Sequence, residues 1–263
     1  MTFSAVLDIR KTILGFFAVA LISINVLADV SYRSPVYRAG VHSPATITIF
    51  GMIQPLDLQS FRQALQQVEQ DASQGKILVR TASGFPAFVT ELNSRGGSFV
   101  TALLIGGLVH ASEGRVVVHQ DAICASSCVF ILAGGVTRYS VGKIGIHRPY
   151  DSQDETTDPA RQKSKYAKIE KAAKAYLDSV NVPSRLYDLM IRIPPERIRW
   201  LSQDELTEYG LNEDDPYYQE AENTKTAKSF GISKARLMKI YADMDRACKN
   251  SVESDECVWE LYR

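Results

Sequence analysis

Polar and apolar positions alternate along the first part of the chain with two different periods. From Ala45 the run ATITIFGMI alternates β-branched with other residues and runs into a glycine, the pattern of a strand and a turn. Over 56–68 the apolar residues Leu58, Phe61, Leu65 and Val68 recur on one face of a helix. A second strand is expected over 88–92, a glycine turn (NSRGG) over 93–97, a helix over 98–110 and a third strand over 116–119. Strand, helix, strand, helix in this order predicts parallel βαβ units, whose ligands gather at the carboxyl ends of the strands. The glycine turn lies at that edge. Gly96 and Gly97 would let the backbone approach a ligand closely and aim N–H groups at an oxyanion.

The chain is organised around 121–135, DAICASSCVFILAGG, where a short strand-like run meets small residues and then an apolar run of helical character. Ala125, Ser126, Ser127 and Cys128 leave room for a substrate carbonyl beside the unpaired N–H groups of a beginning helix. Two readings of Ser126 stay open: a nucleophile at a tight strand-to-helix junction, or a helix N-cap. Further on, an apolar strand closes at Ile146 and His147, before Arg148 and Pro149. Neutral imidazole titrates in the range a general base needs, and His147 has the placement for that role. His42, His110 and His119 lack it and read as surface or packing residues.

The polar insert 151–165, DSQDETTDPARQKSK, has too few apolar residues to pack and reads as a surface loop or a lid over the site. An amphipathic helix is expected over 166–180, then a turn at NVP and another helix in PSRLYDLMIRIPP, ending at Pro194. The segment 212–226, NEDDPYYQEAENTKT, reads as a linker. A last helix over 233–248 carries Leu237, Ile240, Tyr241 and Met244 on one face.

Size and composition narrow the picture. A chain of 263 residues that is 45% hydrophobic buries one sizeable core, giving a single domain with a helical extension. Lys+Arg and Asp+Glu balance at 30 each, and no basic stripe is interleaved with aromatics, so no nucleic acid is expected as a partner. Residues 1–28 read as an export signal: Arg10 and Lys11 precede the uncharged run TILGFFAVALISINVLA, which closes with Val26 and Ala28 as small residues. Cleavage after Ala28 is expected, and membrane anchoring through residues 12–28 is the other reading. Either places the protein in a bacterial envelope compartment, the periplasm first.

The four cysteines fit an oxidising compartment and form two local pairs, Cys124 with Cys128 and Cys248 with Cys257. A helical segment would set Cys124 and Cys128 about 6 Å apart, within disulfide reach, although other pairings remain open. Zinc-site spacing with nearby histidines is missing, and so is a GxxxxGK[ST] phosphate loop.

The segments LNSRGGS, CASSCVFILAGG, IGIHRP and ERIRWLSQDELTEYGL, in that order within 46–211, resemble the Clp protease proteolytic subunit. The resemblance is closest to the exported Clp-like branch of the Clp/crotonase superfamily, with signal peptide peptidase A as a more distant relative. It implies an α/β fold over 29–211, a ClpP/crotonase-like β/α superhelix with a mostly parallel sheet, followed by a linker and C-terminal helical extension over 212–263. It also implies a serine peptidase acting on a peptide or protein substrate, without metal or organic cofactor, and a homo-oligomer. The family's nucleophile falls on Ser126, with Ser127 as the rival, its histidine on His147, and its oxyanion donors on the backbone N–H groups of Gly97 and Ser127.

The family's acid falls on Ile198, which can neither orient nor charge-stabilise an imidazolium. Asp151, a backbone carbonyl, or a lysine base at Lys165 or Lys168 are the replacements the chain offers. Two functions therefore stay open. One is a peptidase acting through Ser126 and His147; the other is a catalytically silent scaffold of the same fold that binds peptides or partners. The missing acid and a Cys124–Cys128 bridge favour the second. A crotonase-like acyl-thioester enzyme would keep the oxyanion amides, but an exported protein meets no cytosolic thioesters.

Overall fold

A computed structural model describes residues 29–38, 41–150 and 158–248. The expected export signal, Asp151 and Cys257 lie outside the described residues. Strand β1 (Asp29–Arg33) is followed by the two-stranded sheet of β2 (Val36–Arg38) and β3 (Val41–Ser43). The body then runs β4 (Thr46–Ile53), α1 (Asp57–Ser73), β5 (Val89–Gly97), α2 (Phe99–Ala111), β6 (Arg115–Val118), β7 (Ile123–Ala125), α3 (Cys128–Ala133), β8 (Thr137–Ser140) and β9 (Lys143–Ile146). It closes with α4 (Pro159–Ser179), α5 (Arg185–Met190), β10 (Arg199–Trp200), α6 (Gln203–Glu208), α7 (Pro216–Ser229) and α8 (Lys234–Cys248).

The architecture is α/β with a mostly parallel sheet, as the strand and helix order predicts. The pairs β4–β5, β5–β6, β5–β7, β6–β8 and β7–β9 are parallel, and only β1 and β10 add antiparallel edges to this sheet. Strand β5 serves two directions: Val89 to Glu91 pair with β6, and Ser94 pairs with Cys124 of β7. From there the chain lays down successive strands in sequence order along both branches, β6 then β8 and β7 then β9, winding a β/α superhelix. Helix α1 turns Phe61, Ala64, Val68 and Ala72 inward; of the expected stripe Phe61 and Val68 are buried, and Leu58 and Leu65 are partly buried against the core. Among the described residues, no helix is long and apolar enough to cross a membrane.

Three expectations need correction. NSRGG is not a turn but the end of β5, because the parallel ladder with β4 continues past a bulge to Met52↔Gly96 and Ile53↔Gly97. The insert after His147 is not a loop throughout: α4 begins at Pro159, with the Asp158 carboxylate accepting from the Ala160 N–H. The expected linker is largely α7, started in the same way by Asp215 and Pro216. Both helices are polar enough to resemble loops by composition, and both carry an Asp-Pro start that composition hides.

Helix α7 is tied to the body from its first turn. Asp215 accepts from the N–H groups of Tyr217 and Tyr218 and from Asn181 Nδ2, and its carboxylate lies 3.8 Å from the guanidinium of Arg138 on β8. Both side chains are almost wholly buried. Burial works against the charge of Arg138, and three carbonyls offset it: Arg138 donates to Ala133, Gly210 and Val180 at 3.1, 2.7 and 2.8 Å. One side chain thus joins the end of α3, the end of α4 and the turns around α6 and α7. At the opposite edge, Asp71 at the end of α1 accepts from Tyr32, Ser34 and Lys76, fastening the first strand and its exit to the body.

Replacing Arg138 by Met should lower unfolding stability by about 3–5 kcal/mol, since it strands a buried carboxylate and three carbonyls. Denaturant titration checks this, and R138M/D215N should recover part of the loss. A second expectation concerns acid. Burial raises the Asp71 carboxyl, but its bonds from Lys76, Ser34 and Tyr32 outweigh that and hold it at about 2. A depressed carboxyl stabilises the fold above its unfolded pKa, so this contribution should disappear as pH falls from about 4 through about 2. In Asp71→Asn the fall in melting temperature across that window should be shallower than in the wild type.

Candidate active site

The junction between β7 and α3 is built from a conformational exception. Ser126 has φ +57°, in the left-handed region that costs an L-residue roughly 1–2 kcal/mol. The turn reverses the chain from strand into helix within two residues and leaves Ser126 the one incompletely buried position in 124–133. Its N–H donates to the Gly145 carbonyl at 2.9 Å. The N-cap reading of Ser126 does not hold: Ser127 occupies the cap position, and no side chain caps α3.

The Ser127 hydroxyl turns away from the helix and donates to the Gly97 carbonyl at 3.2 Å, so the two residues expected to offer oxyanion amides are joined directly. Among the described residues the Ser127 N–H has no hydrogen-bond acceptor. The end of β5 fits between this turn and the end of β4 only because it has no side chains there. A Cβ on Gly96, at φ +101°, would stand 2.7 Å from Ser126 Cβ, and one on Gly97, at φ +142°, would stand 2.2 Å from the Ile53 carbonyl oxygen.

His147 follows the neighbouring strand. The register Ala125↔Gly145 places Ser126 and His147 just past the carboxyl ends of β7 and β9. Paired strands run about 4.8 Å apart, so the two side chains start from adjacent backbones. His147 is buried, and its Nδ1 lies 2.9 Å from the Arg148 carbonyl oxygen. A carbonyl only accepts, so Nδ1 carries a proton, and the neutral tautomer has its lone pair on Nε2.

The antiparallel register Arg199↔Ile146 and Trp200↔Gly145 sets Ile198 across from His147. Its side chain reaches over Gly145, where an added Cβ would meet Ile198 Cγ2 at 2.6 Å. The residue across from the histidine is therefore apolar, and among the described residues no carboxylate pairs with it. Ser126, Ser127, Gly97 and His147 all gather at one sheet edge. Lys165 and Lys168 lie on α4, half-buried and exposed respectively.

The other histidines sit elsewhere. His119 is exposed and pairs with Glu91 at 3.3 Å; His110, on α2, is lowered by burial beside the charges of Asp215 and Arg138. No cluster of His, Cys, Asp or Glu suited to a metal occurs among the described residues. An open concavity of about 420 Å³ lined by Glu69, Arg80, Phe85 and Pro86 includes none of the site residues, and convergent chemistry is lacking there.

Sequence reasoning named the Cys124–Cys128 pair, and the two sulfurs are bonded, with a Cα–Cα distance of 5.3 Å. The second pair, Cys248 with Cys257, lies partly outside the described residues. The left-handed Ser126 and the Ser127–Gly97 bond left no signal in residue type. The Arg148 carbonyl belongs to a class of partner that the sequence offers everywhere.

No protein-family model matches the chain, and no curated protein matches it. Among solved structures, a mutant of the 1510-N membrane-bound stomatin-specific protease aligns at 19% identity over 63% of this chain and 75% of its own, with a TM-score of 0.45. A mutant of ClpP1 from Listeria monocytogenes aligns at 15% identity over 64% of this chain and 88% of its own, with a TM-score of 0.46. The chemistry of the site rests on its own geometry.

Gly96→Ala should disturb the turn at Ser126 while sparing the fold. A methyl group there collides with Ser126 Cβ, and the positive φ adds strain of about 1 kcal/mol. The expected result is a folded protein by circular dichroism in which Ser126 reacts at least about tenfold more slowly with a serine-directed reagent.

Proposed function

We propose that this chain is an exported Clp-like serine hydrolase, a peptidase of the bacterial envelope, acting through Ser126 and His147 on peptide or protein substrates. The observation that carries this reading is the bond between His147 Nδ1 and the Arg148 carbonyl. In a triad the acid holds the imidazole in one tautomer and stabilises the charge it acquires. The carbonyl supplies the first of these and part of the second.

In the proposed reaction His147 Nε2 takes the proton from Ser126 Oγ as the oxygen attacks the scissile carbonyl carbon. The oxyanion that forms accepts from the N–H groups of Gly97 and Ser127. The imidazolium returns the proton to the departing amine, leaving an acyl group on Ser126. Water then attacks the acyl carbon with His147 again as base, releasing the acid. None of these steps calls for a metal or organic cofactor. Kinship with signal peptide peptidase A, a homo-oligomeric assembly and a cleaved signal, or an anchor through residues 12–28, belong to the same proposal.

A second reading, a silent scaffold that holds peptides in the same groove, is favoured by one observation: Ile198 stands where the histidine would find its acid. Labelling with a fluorophosphonate separates the two. The wild type should label, Ser126→Ala should not, and His147→Ala should label on the order of a thousandfold more slowly. Ser127→Ala should keep its labelling in part, because its amide remains. A folded wild type that never labels would establish the scaffold.

A further inference from the structure

The disulfide encloses the residue on which the proposed chemistry turns. Cys124 belongs to β7 and is fixed from both sides, by Ser94 of β5 and Ile144 of β9. Cys128 is the first residue of α3, and both cysteines are fully buried. Ser126 lies midway between them. The bridge therefore ties the sheet to the helix across the left-handed turn.

Few hydrogen bonds hold the turn itself. Helix α3 has six residues and no side-chain cap, because the Ser127 hydroxyl is engaged with Gly97 instead. The backbone bonds at the turn are the Ser126 N–H to Gly145 at 2.9 Å, Val129 to the Ser126 carbonyl at 3.2 Å and Phe130 to the Ser127 carbonyl at 3.1 Å. Against them stands the preference of Ser126 for a right-handed conformation, which would continue α3 backward and swing its hydroxyl off the sheet edge. The bridged pair has a Cα–Cα distance of 5.3 Å.

We propose that the Cys124–Cys128 disulfide is a positioning element for the Ser126 hydroxyl and the Ser127 amide, so that the oxidised protein alone holds both in reacting geometry. The catalytic part of this statement rests on the serine-hydrolase reading; the conformational part does not.

The test compares the oxidised wild type with C124A/C128A, with C124V/C128A, which keeps more of the buried volume, and with wild type refolded under reductant and then reoxidised. Three readouts are taken: hydrogen exchange of the peptide covering 121–135, the second-order rate of fluorophosphonate labelling, and the melting temperature. Loss of the bridge should speed exchange in that peptide at least about tenfold, with the remaining sheet unchanged, and should slow labelling by roughly 10–100-fold. Reoxidation should restore both.

Unchanged exchange and labelling in a folded variant would overturn the proposal, leaving the bridge a packing feature. Failure of every unbridged form to fold would overturn it too, since the bridge would then serve the whole fold. Faster local exchange combined with an oxidised wild type that never labels would uphold the clamp and sink the hydrolase reading instead.

Discussion

Helix α3 has no face toward solvent. All six of its residues are at most 1% exposed, and the rest of the molecule is arranged to make that tenable. A buried helix end must find partners for its last carbonyls. Here the Phe130 carbonyl accepts from Tyr176 of α4 at 2.6 Å, and the Ala133 carbonyl accepts from Arg138 at 3.1 Å. Phe130 also meets Phe99 and Tyr176 edge-on, at centroid distances of 5.2 and 6.1 Å. The carboxyl end of α3 is thus served by α4, by β8 and by the N–H groups of Gly134 and Gly135, which reach the Ile131 and Leu132 carbonyls. Its amino end is left with the free Ser127 N–H, beside the only partly open side chain of the stretch. Polar satisfaction at one end and its absence at the other give the helix a structural pole and a chemical one.

The parallel register then decides what stands at the chemical pole. Strands β5, β7 and β9 run side by side, and each leaves its carboxyl end at the same edge, delivering Gly97, Ser126 and His147 from three separate parts of the sequence. Strand β10 adds Ile198 from a fourth. On the proposed reading this splits the usual duty of an acid. The Arg148 carbonyl fixes which nitrogen bears the proton, whereas no negative charge among the described residues meets the imidazolium that forms. The tautomer is set by geometry, and the charge is left to dipoles, which points to a slower hydrolase than a full triad would give.

Most of this framework was legible from periodicity. The inward stripe of α1, the strand at ATITIFGMI, the apolar run of α3 and the strand closing at His147 all follow from spacing that burial imposes. NSRGG misled because glycine pairs usually break strands, and here they complete one by letting β5 lie against both Ile53 and Ser126. The first turns of α4, up to Lys165, and the segment that became α7 misled for the opposite reason. Each buries few residues, so hydrophobic pattern is weak, and their helices rest on capping by Asp158 and Asp215 and on anchorage by Tyr176 and Asp215. The site residues were readable as types in order. The left-handed serine, its disulfide loop and the carbonyl under the histidine arise from how three strands meet, and residue identity does not encode that.

The same left-handed serine weighs on the choice between enzyme and scaffold. A binding groove needs the strand edge and the apolar walls, and a glycine at position 126 would make this turn without strain. A serine there holds its side chain at a cost of roughly 1–2 kcal/mol, at the one incompletely buried position of the stretch, with an imidazole on the next strand. A peptide held by main-chain bonds draws no benefit from that expense. An attacking oxygen does, because its direction relative to the Ser127 amide is what the strained backbone fixes. On the proposed reading Ile198 would limit how fast such a centre works, but it does not explain why the serine is held this way.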